Sequence, residues 1–183
     1  MVALVLPAGW IAGKAWRKEI GPEIGIGGPF SLTDQDGQRL TDSALKGKPT
    51  LLYFGYSYCP DICPTSLLLM ETAVESLGEH GPNEVNVVFI TIDPDRDTPA
   101  LLKGFVSNFG PKIVGATGSA DQIASVARAY LVYYQKVPSR DGASYLMDHS
   151  SVIYLLDRNG RYASHFTHES SAEEIAGQLR RLL

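Results

Sequence analysis

Gly55-Tyr56-Ser57-Tyr58-Cys59-Pro60-Asp61-Ile62-Cys63-Pro64 joins two segments of different periodicity. Before it, Gly47-Lys48-Pro49 introduces Thr50-Leu51-Leu52-Tyr53-Phe54, a continuous apolar run suited to a central strand covered on both faces. Pro49 is compatible with that strand only at its first position, because proline brings no N–H to a ladder. After it, Leu67, Met70, Val74 and Leu77 recur three or four residues apart, the buried stripe of a helix. Both cysteines therefore sit where a central strand passes into a helix. Pro64 fits the first helical turn, which places Cys63 near the N-cap and Cys59 just ahead of it. Amides at such a terminus point toward the sulfurs, and the helix dipole favours thiolate over thiol.

The alternation of strand and helix continues outward. Residues 85–92 run apolar as a second buried strand and end at Asp93-Pro94. Thr98 suits the N-cap of the next helix and Pro99 its first position, where a missing amide costs nothing. Leu102, Phe105, Val106 and Phe109 supply its inward stripe. After a short strand, Ser119 and Gln122 have the spacing of a capping box for a helix through Tyr130. Residues 131–145, which include Pro138 and Asp141-Gly142, read as a hairpin or inserted loop. Residues 151–156 and 161–166 flank Asp157-Arg158-Asn159-Gly160 as a last hairpin. Ser171 and Glu174 then cap a final helix carrying Ile175, Leu179, Leu182 and Leu183. At the other end, residues 30–33 and 38–40 flank Asp34-Gln35-Asp36-Gly37 as a hairpin. Strands alternating with covering helices give an α/β fold, and the antiparallel last hairpin makes its sheet mixed. With the thiol pair directly after a central strand, the expected architecture is thioredoxin-like. It comprises a central mixed β-sheet flanked by helices, an N-terminal β-hairpin and an inserted hairpin or loop.

Composition narrows the function classes. A chain of 183 residues fits one domain, which at that size buries roughly 70% of its unfolded surface. A net charge of −4 with scattered Lys and Arg offers no phosphate-binding face, so nucleic acid is not an expected partner. Two cysteines are too few for a disulfide scaffold or a closed four-cysteine zinc site. Residues 1–13 are uncharged and mostly apolar, yet a spanning helix needs about 20 residues. Lys14, Arg17 and Lys18 follow that stretch, whereas a signal peptide carries its basic residues in front. Three readings stand: the end of a truncated membrane anchor, a segment lying in the membrane interface, or an ordinary terminus. The chain accordingly divides into a residual anchor and linker at residues 1–27 and a folded domain at 28–183.

The thiol pair admits three chemistries. A reversible disulfide is feasible, because one helical turn brings the two Cα atoms to about 6 Å. Two converging thiolates can also clamp Cu(I). A peroxidatic cysteine with a resolving partner is the third. The three-residue spacer separates the sulfurs more than the CxxC of exchange catalysts does, which favours ligation without deciding it. Among the four histidines, His149 stands out. Met147-Asp148-His149-Ser150 immediately precedes the strand at 152–156, and in a thioredoxin-like fold the loop entering that strand packs beside the cysteine-bearing helix terminus. Exchange catalysts place a cis-proline there, whereas this chain has no proline after Pro138. An imidazole in that place argues for a soft trigonal site of two sulfurs and one nitrogen, with Asp148 or a backbone carbonyl orienting the ring. Met147 is expected to fill the core rather than approach a metal. His80 reads as a solvent residue, and His165 with His168 as a weak secondary pair. Asp93, Asp95 and Asp97 surround Arg96 without the glycine and terminal glutamate of a calcium loop. They read as a salt-bridged loop that shapes the site rim or receives a partner.

The cysteine segment, then Asp93-Pro94-Asp95-Arg96-Asp97-Thr98-Pro99, then Asp148-His149-Ser150, resembles the SCO/SenC family of copper proteins. The resemblance runs over essentially all of residues 28–183. It implies a thioredoxin-like domain behind an N-terminal membrane anchor, and delivery of copper to the binuclear centre of cytochrome c oxidase subunit II. It makes Cys59 and Cys63 the copper-binding thiols and His149 the distal histidine. Cu(I) is the expected cargo, and Cu(II) is accessible with an added oxygen or water ligand. An upstream copper donor is implied as well. The domain would face the periplasm from a bacterial inner membrane, or the intermembrane space of mitochondria. The rival role is a thiol–disulfide reductase that keeps the oxidase subunit's copper-ligand cysteines reduced, with Cys59 and Cys63 as its catalytic pair. Two positions depart from the family pattern. Asp95 stands where Glu is usual, and Tyr58 stands where some members carry an accessory histidine.

Overall fold

The computed structural model describes residues 25–79, 81–138 and 144–183. The expected anchor and linker lie outside the described residues except for their last three positions, and so do His80 and Asp141-Gly142. Among the described residues, no helix is long and apolar enough to cross a membrane.

Strand β3 (Thr50–Gly55) is buried at every position, as its uninterrupted apolar run requires. It pairs in parallel with β4 (Asn86–Thr91) and antiparallel with β8 (Val152–Leu156). The remaining strands are β1 (Ser31–Asp34), β2 (Arg39–Thr41), β5 (Ile113–Thr117) and β9 (Tyr162–Thr167). Together they form one seven-stranded mixed sheet of order β2-β1-β5-β4-β3-β8-β9. Both hairpins expected at its ends are present, β1–β2 and β8–β9. In the last turn Asp157 accepts from the amides of Asn159 and Arg161, while Gly160 takes the positive φ of 78° that the reversal needs.

Helices α1 (Ile62–Glu75), α2 (Gly81–Glu84), α3 (Pro99–Val106), α4 (Ala120–Ala129) and α5 (Ala172–Arg180) complete the thioredoxin-like arrangement. Helix α1 packs on β3, β4 and α5, α3 on β5, and α4 on β1. The caps are those the sequence calls for. Thr98 accepts from the Leu101 amide with Pro99 at the start of α3, and Ser119 with Gln122 forms a reciprocal capping box. Three helices stop short of their expected stripes: α1 before Leu77, α3 before Phe109, and α5 before Leu182 and Leu183. Leu182 still packs on the core, whereas Leu183 is exposed. The one-turn helix α2 has no apolar periodicity and was not expected.

The segment after α4 is the hairpin alternative made real. Strand β6 (Tyr134–Pro138) pairs antiparallel with β7 (Tyr145–His149) as a separate two-stranded sheet. His149 is thus the final residue of a strand, opposite Tyr134, rather than part of a loop.

Candidate metal centre

The end of β3 and the start of α1 place the two cysteines. After Gly55 the chain makes a tight turn in which the Cys59 amide donates to the Tyr56 carbonyl at 3.2 Å. Helix α1 begins at Ile62, two residues earlier than a start at Pro64, so Cys63 is its second residue and Pro64 its third. A proline is tolerated there because first-turn amides have no intrahelical acceptor. The N-cap residue Asp61 makes no side-chain cap bond. Instead the Cys63 amide donates to the Cys59 sulfur at 3.4 Å, so a sulfur does the capping that the aspartate leaves undone.

That geometry polarises the thiols. The hydrogen bond from Cys63 lowers the Cys59 thiol to about 4, against the opposing effect of burial, and His149 and the Asp61 and Cys63 amides add to it. The same hydrogen bond, with full burial and the charge on Cys59, pushes the Cys63 thiol far up. One proton is therefore shared by two sulfurs, and the half-exposed one carries the charge.

His149 completes the group. Its Nε2 lies 3.5 Å from the Cys63 sulfur, and its Nδ1 lies 3.1 Å from the Ser150 carbonyl. A carbonyl only accepts, so Nδ1 bears a hydrogen toward Ser150, and Nε2 is the ring atom that faces the sulfurs. The ring is gripped edge-on by Tyr53 and Tyr56, with centroids 6.2 and 5.9 Å away. The donor atoms of Cys59, Cys63 and His149 all lie within 4.8 Å of one another, a group able to hold one metal ion. Two soft sulfurs and an imidazole suit Cu(I) or zinc far better than a hard cation.

The SCO1/SenC family model matches residues 19–183. The chain belongs to the SCO1/SenC family. A SCO2-like protein of Rickettsia prowazekii is 47% identical over 156 residues, which are 84% of this chain and 75% of that one. The copper-bound structure of Bradyrhizobium japonicum ScoI is 49% identical with a TM-score of 0.80, over 86% of this chain and 99% of that one. Copper-bound yeast Sco1 is 36% identical with a TM-score of 0.78, over 86% and 87% of the two chains.

Within this SCO-family site, the other expected residues separate. Met147 is buried in the core, as expected. His165 pairs with the Tyr162 hydroxyl and stacks on its ring, and among the described residues the one group of three or more His, Cys, Asp or Glu donors that could hold a metal is Cys59, Cys63 and His149. The three aspartates diverge. Asp97 is fully buried and accepts from the Ser57 amide and hydroxyl and from Thr91; Asp93 is fully buried against Arg96 and Tyr145; Asp95 is exposed and pairs with Lys136. Asp93 and Asp95 are thus salt-bridged, to Arg96 and Lys136, while Asp97 is held by neutral donors. The ring is oriented by the Ser150 carbonyl and not by Asp148, whose side chain faces solvent.

Two contributors were not legible. The Tyr53 hydroxyl, held protonated by burial, donates to the Cys63 sulfur at 3.9 Å. Gly55 leaves room for that sulfur, since a Cβ there would stand 2.8 Å from it. A glycine at a strand end beside a cysteine motif is the one signal that pointed to such a close approach.

Proposed function

We propose that this chain is a copper metallochaperone that holds copper on Cys59, Cys63 and His149. It passes the ion to the binuclear copper centre of cytochrome c oxidase subunit II. The observation that carries this reading is the convergence of two sulfurs and an imidazole nitrogen within 4.8 Å, one sulfur already a thiolate at neutral pH. That donor set suits Cu(I) as a trigonal cargo, and Cu(II) with an added oxygen ligand. Copper moves by stepwise ligand exchange inside a docked complex, so no free ion is released. An upstream donor loads the site. The domain works outside the inner membrane, in the bacterial periplasm or the mitochondrial intermembrane space, tethered by an anchor in front of residue 28.

A second role has its own support. An accessible thiolate beside a buried thiol is also the arrangement of a nucleophile with its resolving partner. In that role Cys59 and Cys63 reduce the oxidase subunit's copper-ligand cysteines.

Anaerobic copper titration of the reduced protein separates the two. One copper per chain should survive desalting, and Cys59→Ser or Cys63→Ser should abolish its retention. His149→Ala should weaken copper while leaving dithiol oxidation intact. Undiminished stoichiometric copper in either serine variant would refute the site, and a normal metal environment in His149→Ala would move the case to the reductase.

A further inference from the structure

The segment between β4 and α3 touches both pieces of structure that carry the donor atoms, and Arg96 makes most of those contacts. Toward the cysteine loop, its guanidinium carbon lies 5.7 Å from the Tyr56 ring centre and 4.7 Å from that of Tyr58. Toward the hairpin, it lies 3.8 Å from the Tyr145 ring centre, and its Nη1 donates to the Tyr145 carbonyl at 3.0 Å. Fully buried Asp93 holds the arrangement from below, accepting from Arg96 Nε and, at 2.8 Å, from the Tyr145 hydroxyl. Tyr145 opens β7 and His149 closes it, while Tyr56 meets the imidazole edge-on. The guanidinium thus sits between the loop that ends in Cys59 and the strand that ends in His149. The Lys136–Asp95 pair also ties the hairpin to the β4–α3 segment, but its side chains are 50% and 64% exposed; water and salt weaken such a pair. Arg96 is 17% exposed and has three aromatic faces around it. A planar guanidinium can stack on rings and donate in two directions at once, which an ammonium cannot.

We propose that Arg96 is a positioning residue: it clamps the β6–β7 hairpin to the cysteine loop and so fixes where the His149 nitrogen stands relative to the two sulfurs. The consequence for metal rests on the reading of Cys59, Cys63 and His149 as a copper site. The clamp itself does not.

Arg96→Gln and Arg96→Lys in the full chain test the clamp with two readouts. In the metal-free protein, the amides of Leu146 and Asp148, which face β6 in the ladder, should exchange hydrogen about tenfold faster or more, while those of β3 keep wild-type protection. In the Cu(II)-loaded protein, the nitrogen signature in the EPR spectrum should weaken while sulfur coordination persists. Release of copper to a chelator should quicken about tenfold, as it does when groups supporting a ligand are removed. Lysine should rescue little, because it restores charge without the planar fork. Unchanged hairpin exchange and an unchanged copper spectrum would overturn the proposal, even if the melting temperature fell, since Arg96 would then be only a structural ion pair. Should the glutamine variant fail to fold, the lysine variant decides on the same readouts. If the wild type itself retained no copper, the functional reading would fall, and hydrogen exchange would still decide the clamp.

Discussion

Gly55→Ala puts the close approach of backbone and sulfur to a quantitative test. The added Cβ would stand 2.8 Å from the Cys63 sulfur, 2.9 Å from Phe89 Cε2 and 3.0 Å from Tyr53 Cε1. Unstrained contacts of this kind are about 3.5–4.0 Å, so something must move by roughly 0.7 Å. Phe89 and Tyr53 are both fully buried in the sheet core, which leaves the first turn of α1, with Cys63 on it, as the part that yields. Overpacking of this size costs about 1–3 kcal/mol. The lower chain entropy of alanine in the unfolded state offsets about 0.4–1 kcal/mol of that. A net loss of about 1–2 kcal/mol is expected in urea unfolding of the metal-free protein. Cu(I) competition against a chelator should show weakened binding as well, because the displaced sulfur is the one 3.5 Å from His149 Nε2. Gly177→Ala is the control. It lies in α5 with open space around its Cβ position, and should stabilise by about 0.5–1 kcal/mol. Wild-type stability together with wild-type copper affinity in Gly55→Ala would refute the reasoning.

The protonation of the pair yields two further outcomes. Cys59 is lowered to about 4 by its hydrogen bond from Cys63, so its thiolate is complete well below neutral pH. Its alkylation rate in the metal-free protein should be nearly flat from about pH 6 to 8, where a thiol titrating at about 8.5 speeds up by nearly a power of ten per unit; a steep rise would contradict the shared proton. Because Cys63 keeps that proton until metal displaces it, loading should release about one proton per copper at pH 7, read from calorimetry in buffers of different ionisation heat. A release near two would mean both thiols begin protonated. Asp97→Ala removes the acceptor of the Ser57 amide and hydroxyl and the Thr91 hydroxyl in a fully buried place. It should cost about 2–4 kcal/mol in the same unfolding assay, and a loss under about 1 kcal/mol would show that water replaces the carboxylate.

What the sequence disclosed and what it hid divide by the range of the interaction. Thr50-Leu51-Leu52-Tyr53-Phe54 reads as a central strand because burial on both faces leaves a local record. The Thr98 and Ser119 caps are legible because capping is written within four residues. The start of α1 is less so, since Pro64 suits any position of the first turn equally well. Strand β7 hides for a different reason. Its hairpin stands apart from the main sheet, and Met147 is its only buried residue. Its burial does alternate, but an exposed leucine at 146 erases that alternation from the sequence. The approach of His149 to Cys63 spans 86 residues and was reached only through the fold, by asking what a thioredoxin-like sheet places beside its thiol pair. Tyr53 and Arg96 had no such rule to expose them. Tyr53 looked like an ordinary strand tyrosine, and Arg96 was legible only as the cation of a salt-bridged loop, not as a contact of the cysteine loop and the hairpin.

The three donors are unequal in a way that bears on transfer. Cys63 is fully buried beneath Tyr53 and His149, whereas Cys59 and His149 keep part of their surface. An incoming ligand from a docked partner can reach a bound ion only past those two. If these three residues hold copper, exchange would begin at Cys59 or His149, and Cys63 would be the last donor to let go. That order suits the charges. Cys59 is the sulfur that rests as a thiolate in the empty site, held there by the hydrogen bond from the Cys63 thiol and by the Asp61 and Cys63 amides. Cys63 is the sulfur whose charge the buried site does not support, and it regains its proton when the ion departs. A site with two equivalent thiolates would have to strand one buried charge at the final step. In such a transfer the sulfur that leaves last would be the one that becomes neutral, so complete release would strand no buried charge there.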